Sequence, residues 1–127
     1  MSRKSLLLIF ALFMGLSSMF AQEQKQLALV EEFTNTSCGP CAGFAPYLDA
    51  ALRKSADKCV AIKYHVSFPD PADKFYRCDP QNFDARRFYY NVNGVPSWYV
   101  NGVKRNAERD EAKLTNYINY GYKENKP

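Results

Sequence analysis

"NTSCGPCAGFAP", residues 35–46, carries Cys38 and Cys41 with only a glycine and a proline between them. It follows the short apolar run "LALVEEF" at 27–33, which has strand length, and it leads into "AGFAPYLDAALRKSA" at 42–56. There Phe44, Leu48, Ala51 and Leu52 fall on one face at helical spacing. Ser37 and the preceding Asn35 and Thr36 offer N-cap chemistry, and proline is tolerated in a first turn, so a helix should start at Cys38 or Pro40. A strand that delivers two cysteines to a helix start is the frame on which the rest of the chain can be placed.

Three chemistries compete for a C-x-x-C. Zinc needs four ligands, usually as two close pairs; here Cys59 and Cys78 are single and far apart, and His65 belongs to no ligand spacing. A structural disulfide across two residues closes too small a loop to stabilise much. Redox exchange needs only the pair itself and is the leading reading, with metal and staple as lesser alternatives.

The compartment bears on that choice. The N-terminus has Arg3 and Lys4, an apolar run from Leu6 to Leu16, then small residues ending at Ala21. This is the pattern of a secretory signal over residues 1–21. Eleven apolar residues fall short of the about 20 that span a bilayer, so no permanent membrane anchor is expected. Residues 22–127 then form one small domain. Without Arg3 and Lys4 it holds fifteen basic and thirteen acidic residues, interleaved. A net +2 gives no argument for nucleic acid or an anionic membrane. Asn35-Thr36-Ser37 also fits an N-glycosylation acceptor. A glycan beside the dithiol would obstruct a substrate, which favours a bacterial periplasm or exterior.

Beyond the first helix, "CVAIKYHVSF" (59–68) is β-branched and aromatic and reads as a strand. "PDPADKFYRCDP" is a loop, and "QNFDARRFYYNV" (81–92) is helical, with Phe83, Arg87 and Tyr90 along one side. "SWYV", Asn-Gly and "VKR" read as a hairpin, and "DEAKLTNYINYGY" (110–122) closes with a helix. The order is β-α-β-α-β-β-α.

With a C-x-x-C at the first strand-to-helix junction and Val-Pro before the third strand, the chain resembles the thioredoxin family. The match runs through "VEEFTNTSCGPCAGFAP", with Pro46 at the family's helix-kinking proline, and through "GVPSWYVNG". The resemblance implies an α/β thioredoxin-like fold: a central mixed four-stranded sheet flanked by helices, with the N-terminal strand of full-length thioredoxins short or absent. Strand 59–68 would then be an edge, shielded by Lys63 and His65. It also implies that Glu32 takes the place of the family's buried acid, with Lys63 beside it, and that Pro96 is the cis-proline. Gly39, Pro40, Val95 and Pro96 become the surface that receives substrate. Ser37 stands where many thioredoxins have tryptophan, and roughly ten extra residues separate the second strand from Pro96.

At a helix start the first sulfur lies near unpaired N–H groups and the positive end of the dipole, which favours thiolate. Cys38 is therefore the expected nucleophile and Cys41 the resolving thiol. Glu32, if buried, would have its pKa raised and could take the Cys41 proton. Its neighbour Glu31 must point to the opposite face, so one of the two is expected to be exposed. Gly-Pro supplies no charge between the cysteines, so the motif leans to a reductant near about −270 mV rather than an oxidase near −120 mV. No cofactor is implied. The expected partners are disulfide-containing client proteins and an electron donor, the protein acting as a periplasmic or secreted monomer. An oxidase or isomerase, and a non-catalytic binding module using the altered Ser37 surface and Phe68, Phe75 and Tyr76, remain alternatives. Cys59 and Cys78 invite a structural disulfide in an oxidising compartment. The pair can form if helix 81–92 lies along the sheet, and not if it lies across it.

Overall fold

The computed structural model describes residues 26–124. The expected signal segment 1–21 lies outside the described residues, as do the two ends of the expected domain. Among the described residues no helix is long and apolar enough to cross a membrane.

Four strands, β1 (Ala28–Thr34), β2 (Cys59–His65), β3 (Ser97–Val100) and β4 (Val103–Arg105), form one mixed sheet in the order β2-β1-β3-β4. β2 runs parallel to β1, and β3 and β4 are antiparallel to their neighbours. Helices α1 (Gly39–Lys54) and α3 (Glu111–Glu124) cover one face, and α2 (Pro80–Tyr89) lies on the other. Strand alternation explains the layers. Ala28 and Val30 join Trp98 and Val100 under Phe44, Leu48 and Ala51 of α1 and Leu114 and Ile118 of α3. Phe33 and Tyr99 point the other way and pack with Val66 and Val92. Burying each large side chain in these clusters contributes about 1.5–3 kcal/mol.

Close approach fixes α3. A Cβ on Gly121 would meet Val100 Cγ1 at 2.5 Å, so only glycine lets the helix sit this near the sheet. Asn101 holds the same junction: it accepts from Leu29 N at 2.8 Å and donates to Gly121 O at 2.9 Å. Its φ of 49° and the 80° of Gly102 make the two-residue turn that the Asn-Gly hairpin signal predicts.

Several expectations need correction. The second strand stops at His65 rather than 68, because its partner β1 ends at Thr34 and the Asn35 side-chain amide takes Val66 O. A 3-10 turn at Tyr76–Cys78 interrupts the expected loop, and α2 ends at Tyr89, with Asn91 at φ 51°. β2 is an edge, but Lys63 and His65 do not shield it. The Lys63 ammonium turns to Asp49 and Glu32 and the His65 ring to Asp73, leaving Val60 and Ile62 as exposed apolar members.

Cys59 and Cys78 are free thiols, not a disulfide. Their S–H groups donate to separate carbonyls, Ser55 O at 3.3 Å and Lys74 O at 3.2 Å. The reason is the direction of α2, which crosses the strands. Phe83 meets Tyr64 of β2, Arg86 meets Glu31 of β1, and Tyr90 stacks on Tyr99 of β3. The segment before α2 is held at the His65 end of β2 through Asp73. Cys59 lies at the other end of that strand, about 20 Å away at 3.3 Å per residue. A disulfide needs Cα atoms within about 7 Å.

Candidate active site

α1 begins at Gly39, and its N-cap is Cys38 itself. The expected hydroxyl cap from Ser37 is not used; Ser37 Oγ donates instead to Asp70 at 3.0 Å. Cys38 Sγ accepts the Cys41 backbone N–H at 3.1 Å, so the first sulfur sits in the N-terminal field of the helix. Cys38 and Cys41 are joined as a disulfide with Cα atoms 5.2 Å apart, and both residues are buried. Val95 O lies 3.7 Å from Cys38 Sγ, and the Val95–Pro96 bond is cis. Ser37, Cys38, Gly39, Pro40 and Val95 thus border one shallow depression of about 420 Å³, which Phe68 and Pro69 complete.

The register pairs Glu32 with Lys63 across β1 and β2. Glu32 is buried on the face covered by α1, whose first turn carries Cys41. Lys63 Nζ stands 3.2 Å from Glu32 Oε2 and 2.8 Å from Asp49 Oδ1. The angle favours Asp49, and Oε2 of Glu32 has no hydrogen-bond partner among the described residues. Burial raises the Glu32 pKa against the opposing pull of Lys63. Partial burial works against the Lys63 charge, but the hydrogen bond to Asp49 and the charge of Glu32 outweigh it and hold its pKa up.

A raised carboxyl favours the native state below the ordinary glutamate pKa, and that advantage is lost as pH rises through the folded value. Glu32→Leu is therefore expected to gain about 1–2 kcal/mol at pH 7.5, since Lys63 keeps Asp49 as partner and no charge is stranded. The gain should shrink at pH 5. Urea denaturation at the two pH values checks it, and a less stable variant at pH 7.5 would refute the assignment.

No family model matches the chain, and no curated protein matches it in sequence. Solved structures match in shape. HBP35 of Porphyromonas gingivalis superposes with a TM-score of 0.58 at 21% identity, over 80% of this chain and 34% of that one. This chain therefore spans about a third of that protein. A thiol:disulfide interchange protein of the thioredoxin family from Chlorobium tepidum TLS gives 0.57 at 16% identity, covering 77% and 81% of the two chains. The germline-specific thioredoxin Deadhead of Drosophila melanogaster gives 0.51 at 22%, covering 88% and 92%.

The chain has the thioredoxin fold. At these identities the likeness is one of fold.

Two charged clusters in this thioredoxin fold escape a sequence reading. Asp73 is buried and accepts four hydrogen bonds: His65 Nδ1 at 2.8 Å, Thr36 N at 2.7 Å, Phe75 N at 2.8 Å and Tyr76 N at 3.0 Å. Burial opposes its charge, yet the bonds from His65, Thr36 and Tyr76 win and hold its pKa well below the carboxylate range. Asn35 reinforces the joint by donating to Val66 O and Asp70 O. Its buried amide is thus engaged where a glycan would have to attach. The loop before Cys38 is bound in this way to segment 66–76, much of the extra length after β2.

Glu31 is the second cluster. It is fully buried, contrary to the exposed position expected of one of the two glutamates. β1 is interior to the sheet and covered on both faces, so alternation buries both. Arg86 grips Glu31 with Nε at 2.6 Å and Nη2 at 2.9 Å, and Tyr90 Oη donates at 2.5 Å. Burial opposes the Glu31 charge, but Arg86 and Tyr90 overcome it and lower its pKa. The sequence pattern puts Arg87 beside Phe83 and Tyr90; the structure puts Arg86 there, three residues after Phe83 and four before Tyr90.

Proposed function

We propose that the protein is an exported thiol–disulfide oxidoreductase that reduces client disulfides in a periplasmic or extracellular space. The observation that carries this reading is the Cys38–Cys41 disulfide across the first turn of α1, with the Cys41 N–H on the Cys38 sulfur. That amide and the helix field lower the energy of negative charge on Cys38 once the pair is reduced.

The Cys38 thiolate attacks one sulfur of a client disulfide. A mixed disulfide forms, and the departing client thiolate takes up a proton. Cys41, deprotonated with Glu32 as the base, then attacks Cys38 Sγ and releases the second client thiolate. Two electrons and two protons pass to the client, and the pair is left oxidised. A thiol reductant of the same compartment must return the electrons.

Dithiothreitol-driven turnover of a disulfide substrate, followed by the reduction potential of the pair, tests the reading. Turnover with a potential near about −270 mV is expected. A potential above about −180 mV would make the protein an oxidase or isomerase. Absence of turnover would leave a binding module.

A further inference from the structure

Whatever exchanges with Cys38 must bring a sulfur into bonding contact with it, so the residues flanking a client cysteine must lie on the surface around Cys38. That surface is a depression bordered by Ser37, Cys38, Gly39, Pro40 and Val95, with Phe68 and Pro69 contributed by the segment after β2. Its accessible lining is mainly apolar.

Phe68 is held in place from several sides. It packs on the Phe33, Val66, Val92 and Tyr99 cluster. The Arg87 guanidinium lies 5.5 Å from its ring centre, and Asp84 holds Arg87 at 3.1 Å. The segment carrying Phe68 and Pro69 is tied to the loop before Cys38 through Asp73 on Thr36, Asn35 on Val66 and Asp70, and Ser37 on Asp70. The apolar wall and the nucleophile therefore form one preorganised unit, which keeps the ordering cost of docking small.

We infer that Phe68 and Pro69 are specificity-determining residues that select client disulfides whose cysteines are flanked by a bulky apolar side chain. This rests on the oxidoreductase reading and adds the substrate class. An apolar side chain seated against Phe68 sheds water at little polar cost, because the lining is mainly apolar and the Ser37 hydroxyl already donates to Asp70. A small polar flank gains nothing there and loses its own hydration.

Two synthetic peptides test this, each closed by one disulfide and identical except that both cysteines are flanked by leucine in one and by serine in the other. The rate for each is normalised to its own reaction with dithiothreitol. The expected kcat/KM ratio is about tenfold for leucine over serine, carried mainly by KM, the size a single apolar contact gives. Phe68→Ala should bring the ratio close to one. In a Cys41→Ala protein trapped with the leucine peptide, nuclear Overhauser contacts should join the peptide leucine methyls to the Phe68 ring, a readout that needs no change at Phe68.

Equal normalised rates for both peptides would overturn the inference and leave the oxidoreductase standing, as would a ratio unmoved by Phe68→Ala or a trapped complex without those contacts. Reduction of neither peptide would overturn the oxidoreductase reading itself.

Discussion

Cys38→Ser is expected to abolish turnover of a disulfide substrate, a loss of about three orders of magnitude or more, while Cys41→Ala should keep the first attack and accumulate mixed disulfides. The asymmetry comes from position and not from access. Cys38 is 5% exposed and Cys41 3%, a difference too small to assign roles. What separates them is the field: Cys38 caps α1 and receives the Cys41 N–H, whereas Cys41 lies inside the first turn. After reduction, iodoacetamide should modify Cys38 first, at a pH where an ordinary thiol is still largely protonated. Peptide mapping by mass spectrometry reads the order directly. Faster labelling of Cys41, or trapped clients in Cys38→Ser but not in Cys41→Ala, would reverse the assignment.

Local and periodic features are legible in the amino-acid sequence. "LALVEEF" and "SWYVNGVKR" have the length and alternation of strands, and the Phe44–Leu48–Ala51 spacing marks the buried face of α1. The Glu32–Lys63 contact is implied by the thioredoxin resemblance alone, and the register of β1 on β2 bears it out. What was hidden is long-range. Asp73 sits in a stretch with three prolines and three aspartates, which composition reads as solvated loop, yet its partners come from Thr36, His65, Phe75 and Tyr76. No local pattern records a carboxylate that the tertiary fold turns inward. The sequence leaves the position of Cys78 open for a related reason. Helix length bounds how far α2 can reach, but the direction of its crossing is set by Phe83, Arg86 and Tyr90 finding partners on three different strands. Phe68–Pro69 escaped because its role arises only once segment 66–76 is folded back onto the loop before Cys38.

Arg86→Ala is expected to destabilise the protein by about 3 kcal/mol at pH 7, the lower part of the range for breaking a buried pair, because Arg86 is itself 32% exposed while Glu31 is 1% exposed. Most of that cost is the glutamate left behind. In the wild type Arg86 and Tyr90 hold the Glu31 pKa down, so the pair contributes stability that is present above the ordinary glutamate range and lost as pH falls through the folded value. Asp73, also depressed, acts in the same direction. Removing Arg86 reverses the sign at Glu31: burial then dominates, the carboxyl pKa rises above its ordinary value, and protonation stabilises the native state. The deficit of Arg86→Ala relative to wild type should therefore be largest near pH 7.5 and shrink towards pH 5, where the wild type gains nothing from further acidification. Adding Glu31→Gln to Arg86→Ala removes the stranded charge and should recover about half of the loss, since the amide can still accept from Tyr90. Urea unfolding of the three proteins at pH 5 and pH 7.5 measures each quantity. A deficit that stays constant with pH, together with no recovery in the double variant, would mean that Arg86 acts through packing on Tyr89 and Tyr90, over whose rings its guanidinium lies at 4.8 Å, and not through the Glu31 charge.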